Sequence, residues 1–247
     1  MTKNIVKEKL QTGKPTVGTF MNFASPLVAE YLAHIGFDWL VVDTEHSPAD
    51  MLRTTAMFQA ICTTATVPMA RVAGNDDIIF KKHLDAGAMG LVVPMVNSAE
   101  EAENVVRGMK FPPDGVRSAG GGRANLYGSD YSIRANEEIA IIVMIEHIDA
   151  VNNAREILSV PGIDGSFIGP SDLSKSMGCA IGAPEHEEAI QEVLRIAKEI
   201  GTPAGLHCGN AEQVNMRIEQ GFQFLAMGSD VSYLTGAAKQ EHGALKQ

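Results

Sequence analysis

Ile139-Ala-Ile-Ile-Val-Met-Ile-Glu-His147 and the later Gly165-Ser-Phe-Ile-Gly-Pro-Ser-Asp172 decide how this chain folds. The first is a near-continuous apolar, β-branched run that stops at a carboxylate, Glu146. Such a run reads as a strand buried on both faces. The second holds a shorter strand, Gly165 to Ile168, and also ends beside a carboxylate, Asp172. The 26 residues from Glu146 to Asp172 span about one strand-and-helix unit. The two strands are therefore expected to be parallel neighbours with their carboxyl ends on one side of the sheet. Two hard oxygen ligands placed there suit an open Mg²⁺ or Mn²⁺ site with room for water and substrate. Taken alone, the pair also fits a solvated strand end and a helix cap.

The same rhythm extends in both directions. Toward the N-terminus, strands are expected at 16–20, 37–42, 67–71 and 89–94, and helices at 3–12, 26–35, 49–64, 76–86 and 98–110. Beyond Asp172, helices are expected at 185–200 and 211–220 and strands at 202–206 and 222–227, with Gly228-Ser-Asp230 opening a last helix. Glycines punctuate the helix ends, and alternation of this kind marks parallel α/β architecture. Eight strands alternating with eight helices in 247 residues predict a single (β/α)8 TIM barrel covering residues 1–247, a fold of roughly 250 residues. A doubly wound open sheet is the runner-up. Residues 111–137, with Pro112-Pro113 and Gly120-Gly-Gly122, break the rhythm and read as a long functional or interface loop. No strand leads into the glycines and no helix follows them, so they are no nucleotide fingerprint.

Composition narrows the function. A net charge of −10 without a basic cluster argues against nucleic acid, which demands concentrated Lys and Arg. Cys62, Cys179 and Cys208 show no CxxC spacing, which fits a reducing compartment rather than a disulfide framework. The N-terminus lacks a signal-peptide core and no run is long enough to span a membrane. A soluble cytoplasmic protein is expected.

In a barrel of this type the chemistry collects on the loops after the strands. Strand two delivers Asp43, Glu45 and His46, strand three Arg71, strand five Glu146 and strand six Asp172. No assigned strand contains or ends in lysine, and Lys175 falls in the helix after strand six, which disfavours Schiff-base chemistry. No Gly-x-Ser-x-Gly elbow supports a hydrolase. A divalent ion as Lewis acid, an arginine for developing negative charge and a histidine base remain. That set suits making or breaking a C–C bond through a metal-bound enolate.

Phe37-Asp-Trp-Leu-Val-Val-Asp-Thr-Glu-His-Ser-Pro48, Arg71-Val-Ala-Gly-Asn-Asp76, Leu84-Asp-Ala-Gly-Ala88 and Gly162-Ile-Asp-Gly-Ser-Phe-Ile-Gly-Pro-Ser-Asp-Leu173 closely resemble the HpcH/HpaI aldolase family. The resemblance runs from about Gly18 to Tyr233. It implies a metal-dependent class II aldolase that reversibly splits a 4-hydroxy-2-oxo acid into pyruvate and an aldehyde. By this likeness Glu146 and Asp172 hold the ion (Mg²⁺, Mn²⁺ or Co²⁺). Ser171 and backbone N–H groups from Gly169 onward would bind the substrate carboxylate, as helix starts bind anions. Arg71 would stabilise the enolate and alkoxide. His46 would move the proton through a water, paired with Asp85. Spacing alone favours Asp43 as the partner of His46. The family also implies a homohexamer and a role in aromatic or sugar acid catabolism.

Two departures from the family pattern stand out. Met144 occupies the position, two before Glu146, where many members carry a substrate-binding Gln, and a thioether donates no hydrogen bond. His207 and Cys208 follow strand seven, an unusual pair at the active face that could touch substrate or bind a softer metal. Because Glu146 and Asp172 already make a hard site, they are expected to be ordinary loop residues. A CoA-thioester lyase of the malyl- or citryl-CoA type, or a non-catalytic metal-binding barrel, are the alternatives. The acidic composition offers little for CoA phosphates, and a scaffold has no need of His46, Arg71, Glu146 and Asp172 together.

Overall fold

A computed structural model describes residues 1–245. Eight parallel strands close on themselves in sequence order: β1 (Thr16–Met21), β2 (Trp39–Asp43), β3 (Val67–Arg71), β4 (Gly90–Val93), β5 (Ala140–Ile145), β6 (Gly165–Ile168), β7 (Gly205–Cys208) and β8 (Phe224–Ser229). β8 pairs with β1, so the sheet has no edges and the open-sheet alternative is excluded. Helices α1 (Ile5–Gln11), α2 (Pro26–Ala33), α3 (Met51–Ile61), α4 (Asp77–Ala86), α5 (Ala99–Met109), α6 (Tyr131–Glu138), α7 (Ile148–Asn152), α8 (Ala154–Leu158), α9 (Pro170–Met177), α10 (Pro184–Ile200), α11 (Ala211–Gln220) and α12 (Asp230–Gly243) complete the chain.

Pairing register determines what fills the barrel. Partners traced from strand to strand show the interior position advancing two residues for every two strands, the stagger a closed barrel of this type requires. Interior side chains therefore stack in rings of four from alternate strands. Trp39, Gly90, Gly165 and Phe224 make a low ring; Gly18, Met69, Ile142 and Gly205 lie above it. Next come Val41, Val92, Phe167 and Ala226, and the uppermost ring is Phe20, Arg71, Met144 and His207. Large and small residues interlock between rings. Trp39 stacks on Phe224 at 4.3 Å and 11°, and both crowd against glycines: a Cβ on Gly18 would lie 2.0 Å from the Trp39 ring, and one on Gly205 2.3 Å from the Phe224 carbonyl oxygen. Such an aromatic pair is worth about 0.5–1.5 kcal/mol beyond its burial.

α1 closes the amino-terminal end. Val6 and Leu10 join the interior cluster, and the cap residue Asn4 donates to the carbonyls of Met89 (2.7 Å) and Glu138 (2.8 Å). Lys7, also buried, donates to the Ile139 carbonyl at 2.9 Å and pairs with Asp164 at 3.0 Å. The opposite, carboxyl-terminal end stays open.

Three expected elements need correction. Residues 111–137 are not one irregular loop: a 3₁₀ turn (Arg123–Tyr127) and α6 lie within and beyond them. The segment is fastened by Arg117, whose guanidinium lies 4.4 Å from the Phe111 ring centroid and bonds Asp85 and Tyr131. The crossover from β5 to β6 is two short helices, not one. β7 begins at Gly205, not Thr202, because Pro203 has no N–H to give the ladder and only its carbonyl is used, by Ser166. Gly228 and Ser229 end β8, and Ser229 caps α12 with a capping box to Ser232.

Candidate active site

Asp43, the last residue of β2, is wholly buried and accepts five hydrogen bonds. Its Oδ1 takes Arg71 Nε at 3.0 Å and the backbone N–H groups of Glu45 (3.1 Å) and His46 (3.2 Å). Its Oδ2 takes Arg71 Nη2 and Asn22 Nδ2, both at 2.7 Å. Burial pushes this carboxyl up, but the Arg71 hydrogen bonds and charge, with the two loop N–H groups, hold it below its ordinary value. One carboxylate thus sets both the arginine and the turn of the 43–48 loop.

Arg71 ends β3, with its guanidinium 5.2 Å from the Phe20 ring centroid. Its pKa is raised although burial opposes this, because Asp43, Glu45 and Glu146 surround it with negative charge. Glu45 Oε2 is 3.3 Å from Arg71 Nε. Burial raises the Glu45 pKa, Arg71 and His46 oppose the rise, and Asp43 and Asp172 add to it.

Glu146 follows β5 and is only 4% exposed. Its Oε1 accepts the Met95 N–H at 2.9 Å. Met95 takes φ 53°, a left-handed conformation uncommon for a side-chain-bearing residue. Burial pushes Glu146 up to about 7; the Met95 N–H opposes this, and the charges of Glu45 and Asp172 add to it. Gly169 lies against this carboxylate: a Cβ there would sit 2.7 Å from Glu146 Oε2. Asp172 is in the first turn of α9, its side chain 44% exposed and 3.0 Å from Lys175 Nζ. No side chain caps α9, and Pro170 supplies a first-turn residue without N–H. Its remaining free N–H groups suit an anion.

These groups surround one cavity of about 200 Å³, lined by Arg71, Glu146, Gly169, Ser171 and Asp172 together with Phe20, Asn22, Met144, Phe167, His207 and Ser229. Five of the residues expected from sequence are therefore neighbours. His46 and Asp85 are not among the lining residues. The His46 side chain is 63% exposed, with Nε2 3.6 Å from Glu45 Oε2. Asp43 bonds only its backbone, so the pairing that spacing favoured does not form. Asp85 sits in the last turn of α4, at the other end of the barrel, and accepts Arg117 Nη2 at 2.8 Å. Within one chain neither carboxylate partners the His46 imidazole. Sequence reasoning missed Asn22 and Ser229, although both stand at strand ends and the rule that found Arg71 applies to them equally.

His207 and Cys208 part company. His207 points into the barrel, its Nε2 3.3 Å from the Gly228 carbonyl oxygen and its ring 6.0 Å from that of Phe20. Burial and the Arg71 charge hold its pKa down. Cys208 points to the helical layer, where burial raises the thiol to about 11.

Among the described residues no group of three or more His, Cys, Asp or Glu side chains forms a metal cage. The Glu146 and Asp172 pair fits a hard divalent ion that keeps positions open for water or substrate. A cation there would offset the burial and like charge that push Glu146 up.

A family model described as HpcH/HpaI aldolase/citrate lyase matches residues 16–237. A 4-hydroxy-2-oxo-heptane-1,7-dioate aldolase of Shigella sonnei is 38% identical over 244 residues, which are 96% of this chain and 93% of that protein. The crystal structure of an HpcH/HpaI aldolase/citrate lyase family protein from Burkholderia cenocepacia superposes with a TM-score of 0.94 at 33% identity, covering 98% of each chain. An HpcH/HpaI aldolase from Desulfitobacterium hafniense gives 0.89 at 30% identity, covering 97% of each.

Proposed function

The chain belongs to the HpcH/HpaI aldolase/citrate lyase family, is a class II aldolase, and on that footing we propose which residues carry its reaction. The substrate is a 4-hydroxy-2-oxo acid, cleaved reversibly to pyruvate and an aldehyde. The observation that carries this reading is the convergence of Arg71, Glu146, Asp172 and the free start of α9 on one cavity.

Glu146 and Asp172 would hold a divalent ion, Mg²⁺ or Mn²⁺ with Co²⁺ as a third candidate. When bound, the ion polarises the 2-oxo group as a Lewis acid. The substrate carboxylate takes the N–H groups at the start of α9 and the Ser171 hydroxyl, which orients the chain across the cavity. Arg71, held by Asp43, donates to the oxygens on which negative charge develops as the C–C bond breaks. Such donors act well only when pre-positioned, and the two-point Asp43 contact provides that. His46 moves the proton of the 4-hydroxyl through a water. Asp85 would assist from a neighbouring subunit, since its own His46 is out of reach. That arrangement accords with a homohexamer. We place the enzyme in the cytoplasm, in aromatic or sugar acid catabolism. Among the described residues no helix is long and apolar enough to cross a membrane.

The test couples pyruvate release to lactate dehydrogenase across a panel of 4-hydroxy-2-oxo acids, with and without EDTA and with each metal restored. Metal-dependent pyruvate, abolished in Glu146→Ala, is expected. Activity that survives EDTA would overturn the metal assignment. Light scattering showing only a monomer would overturn the shared site.

A further inference from the structure

The uppermost ring of the barrel interior holds one polar group that the proposed reaction leaves idle. Of Phe20, Arg71, Met144 and His207, the arginine serves the oxyanion and two residues are apolar. The ring beneath (Val41, Val92, Phe167, Ala226) is apolar throughout. A methyl group of pyruvate or an alkyl aldehyde needs nothing more than such walls. An imidazole there is unfavourable unless its nitrogens find partners.

One nitrogen has a partner. Nε2 lies 3.3 Å from the Gly228 carbonyl oxygen. A carbonyl only accepts, so Nε2 carries the proton and Nδ1 of the neutral ring is a bare acceptor. Nδ1 has no hydrogen-bond partner among the described residues. Nor is it one of the sealed polar atoms left unpaired, which belong to Thr54, Asn97, Arg117 and Ser166. His207 borders two cavities, but the one among Leu206, Cys208 and Arg217 lies on the outward side of β7. The His207 ring is on the inward face beside Phe20, so Nδ1 opens onto the active-site cavity. The ring is held by Phe20, tilted 56° to it, so the acceptor points in a fixed direction. Arg71 in the same ring disfavours a cationic donor at this point. A neutral hydroxyl remains.

We propose that Nδ1 of His207 accepts a hydrogen bond from a substrate hydroxyl, making His207 a specificity residue for a hydroxylated 2-oxo acid or a hydroxylated aldehyde. This rests on the aldolase reading of the site and narrows its substrate class. The hydroxyl comes either from C3 of the oxo acid or from the carbon next to the aldehyde, and two ligand pairs distinguish these sources: hydroxypyruvate against pyruvate, and glycolaldehyde against acetaldehyde.

The full-length enzyme is assayed in the condensation direction with both pairs, as wild type, His207→Leu and His207→Gln. Binding of all four compounds is measured in parallel by calorimetry. In one pair the wild type favours the hydroxylated member roughly three- to tenfold, the worth of one neutral hydrogen bond. Leu removes that preference, and Gln, whose amide oxygen accepts, restores much of it; a purely structural role would not restore it. The pair that responds identifies the source of the hydroxyl. Equal preferences in wild type and Leu, in both pairs and in calorimetry, overturn the proposal. Absence of turnover with every pair counts against the aldolase reading, while the calorimetric difference still decides the contact.

Discussion

Replacing Asp43 with Asn tests whether the site is organised from behind the arginine. The substitution keeps shape and removes charge. The buried carboxylate accepts five donors, whereas an amide offers one acceptor oxygen and in either orientation turns its NH2 toward an Arg71 N–H, facing also Asn22 or the loop N–H groups. Leaving a buried ion without its partner costs about 3–5 kcal/mol. Here Glu45, 3.3 Å from Arg71 Nε, retains part of the countercharge, so the expected loss is about 2–3 kcal/mol. For a chain of this size that lowers Tm by roughly 4–12 °C. Asp43 touches no substrate in this reading and acts by positioning. Mis-aiming one oxyanion donor costs about 10²–10³ in kcat, so kcat should fall while KM moves little. The pH dependence has a definite sign. The folded pKa of Asp43 is depressed, so its contribution to stability is full above the ordinary carboxylate pKa and is lost as pH falls through the lower folded value. Asn should flatten the stability–pH curve in that acid window. Denaturant unfolding across pH, with steady-state kinetics, reads all three effects. A variant within about 0.5 kcal/mol of wild type and with unchanged kcat would refute the reasoning.

Three further outcomes follow from the packing. Gly18→Ala drives a methyl to 2.0 Å from the Trp39 ring and should destabilise by about 1–3 kcal/mol; an unshifted denaturant midpoint would contradict the ring model. Gly169→Ala puts a Cβ 2.7 Å from Glu146 Oε2, so calorimetry should show weaker Mn²⁺ binding with the unfolding midpoint little changed. Cys208, buried and with its thiol raised to about 11, should resist iodoacetamide at neutral pH until the protein unfolds. Rapid labelling of the native protein, seen by mass spectrometry, would place it wrongly.

Much of this architecture could be read in one dimension because a closed parallel barrel turns chain position into spatial position. Once Ile139–Ile145 and Gly165–Ile168 are parallel neighbours, their ends are neighbours too, and Arg71, Glu146 and Asp172 follow without knowledge of any contact. The same logic fails where a partner is not at a strand end. Nothing in the sequence reveals that Asp43 spends its acceptors on Arg71, Asn22 and backbone, leaving none for the His46 ring. Nor does it reveal that Asp85 is occupied by Arg117 from the far side of a segment read as loop. α6 escaped notice because its buried face is only Tyr131, Ala135 and Glu138, too short and too polar for a 3.6-residue period to stand out beside five glycines in 115–128.

The smallest misreading has the largest chemical consequence. Ending the seventh strand at Leu206 leaves His207 on a loop, where an ordinary loop role is the natural reading. Pro203 cannot donate to the ladder, so pairing with β8 begins at Gly205 and continues through Cys208. Period-two alternation then sends Gly205 and His207 inward and Leu206 and Cys208 outward. Gly205 must be small because a Cβ there would lie 2.3 Å from the Phe224 carbonyl oxygen and 2.6 Å from that of Ser166. His207, one step higher, reaches the ring that floors the cavity. The register that pairs Gly205 with Phe224 and His207 with Ala226 therefore decides that an imidazole, and not a thiol, faces the cavity.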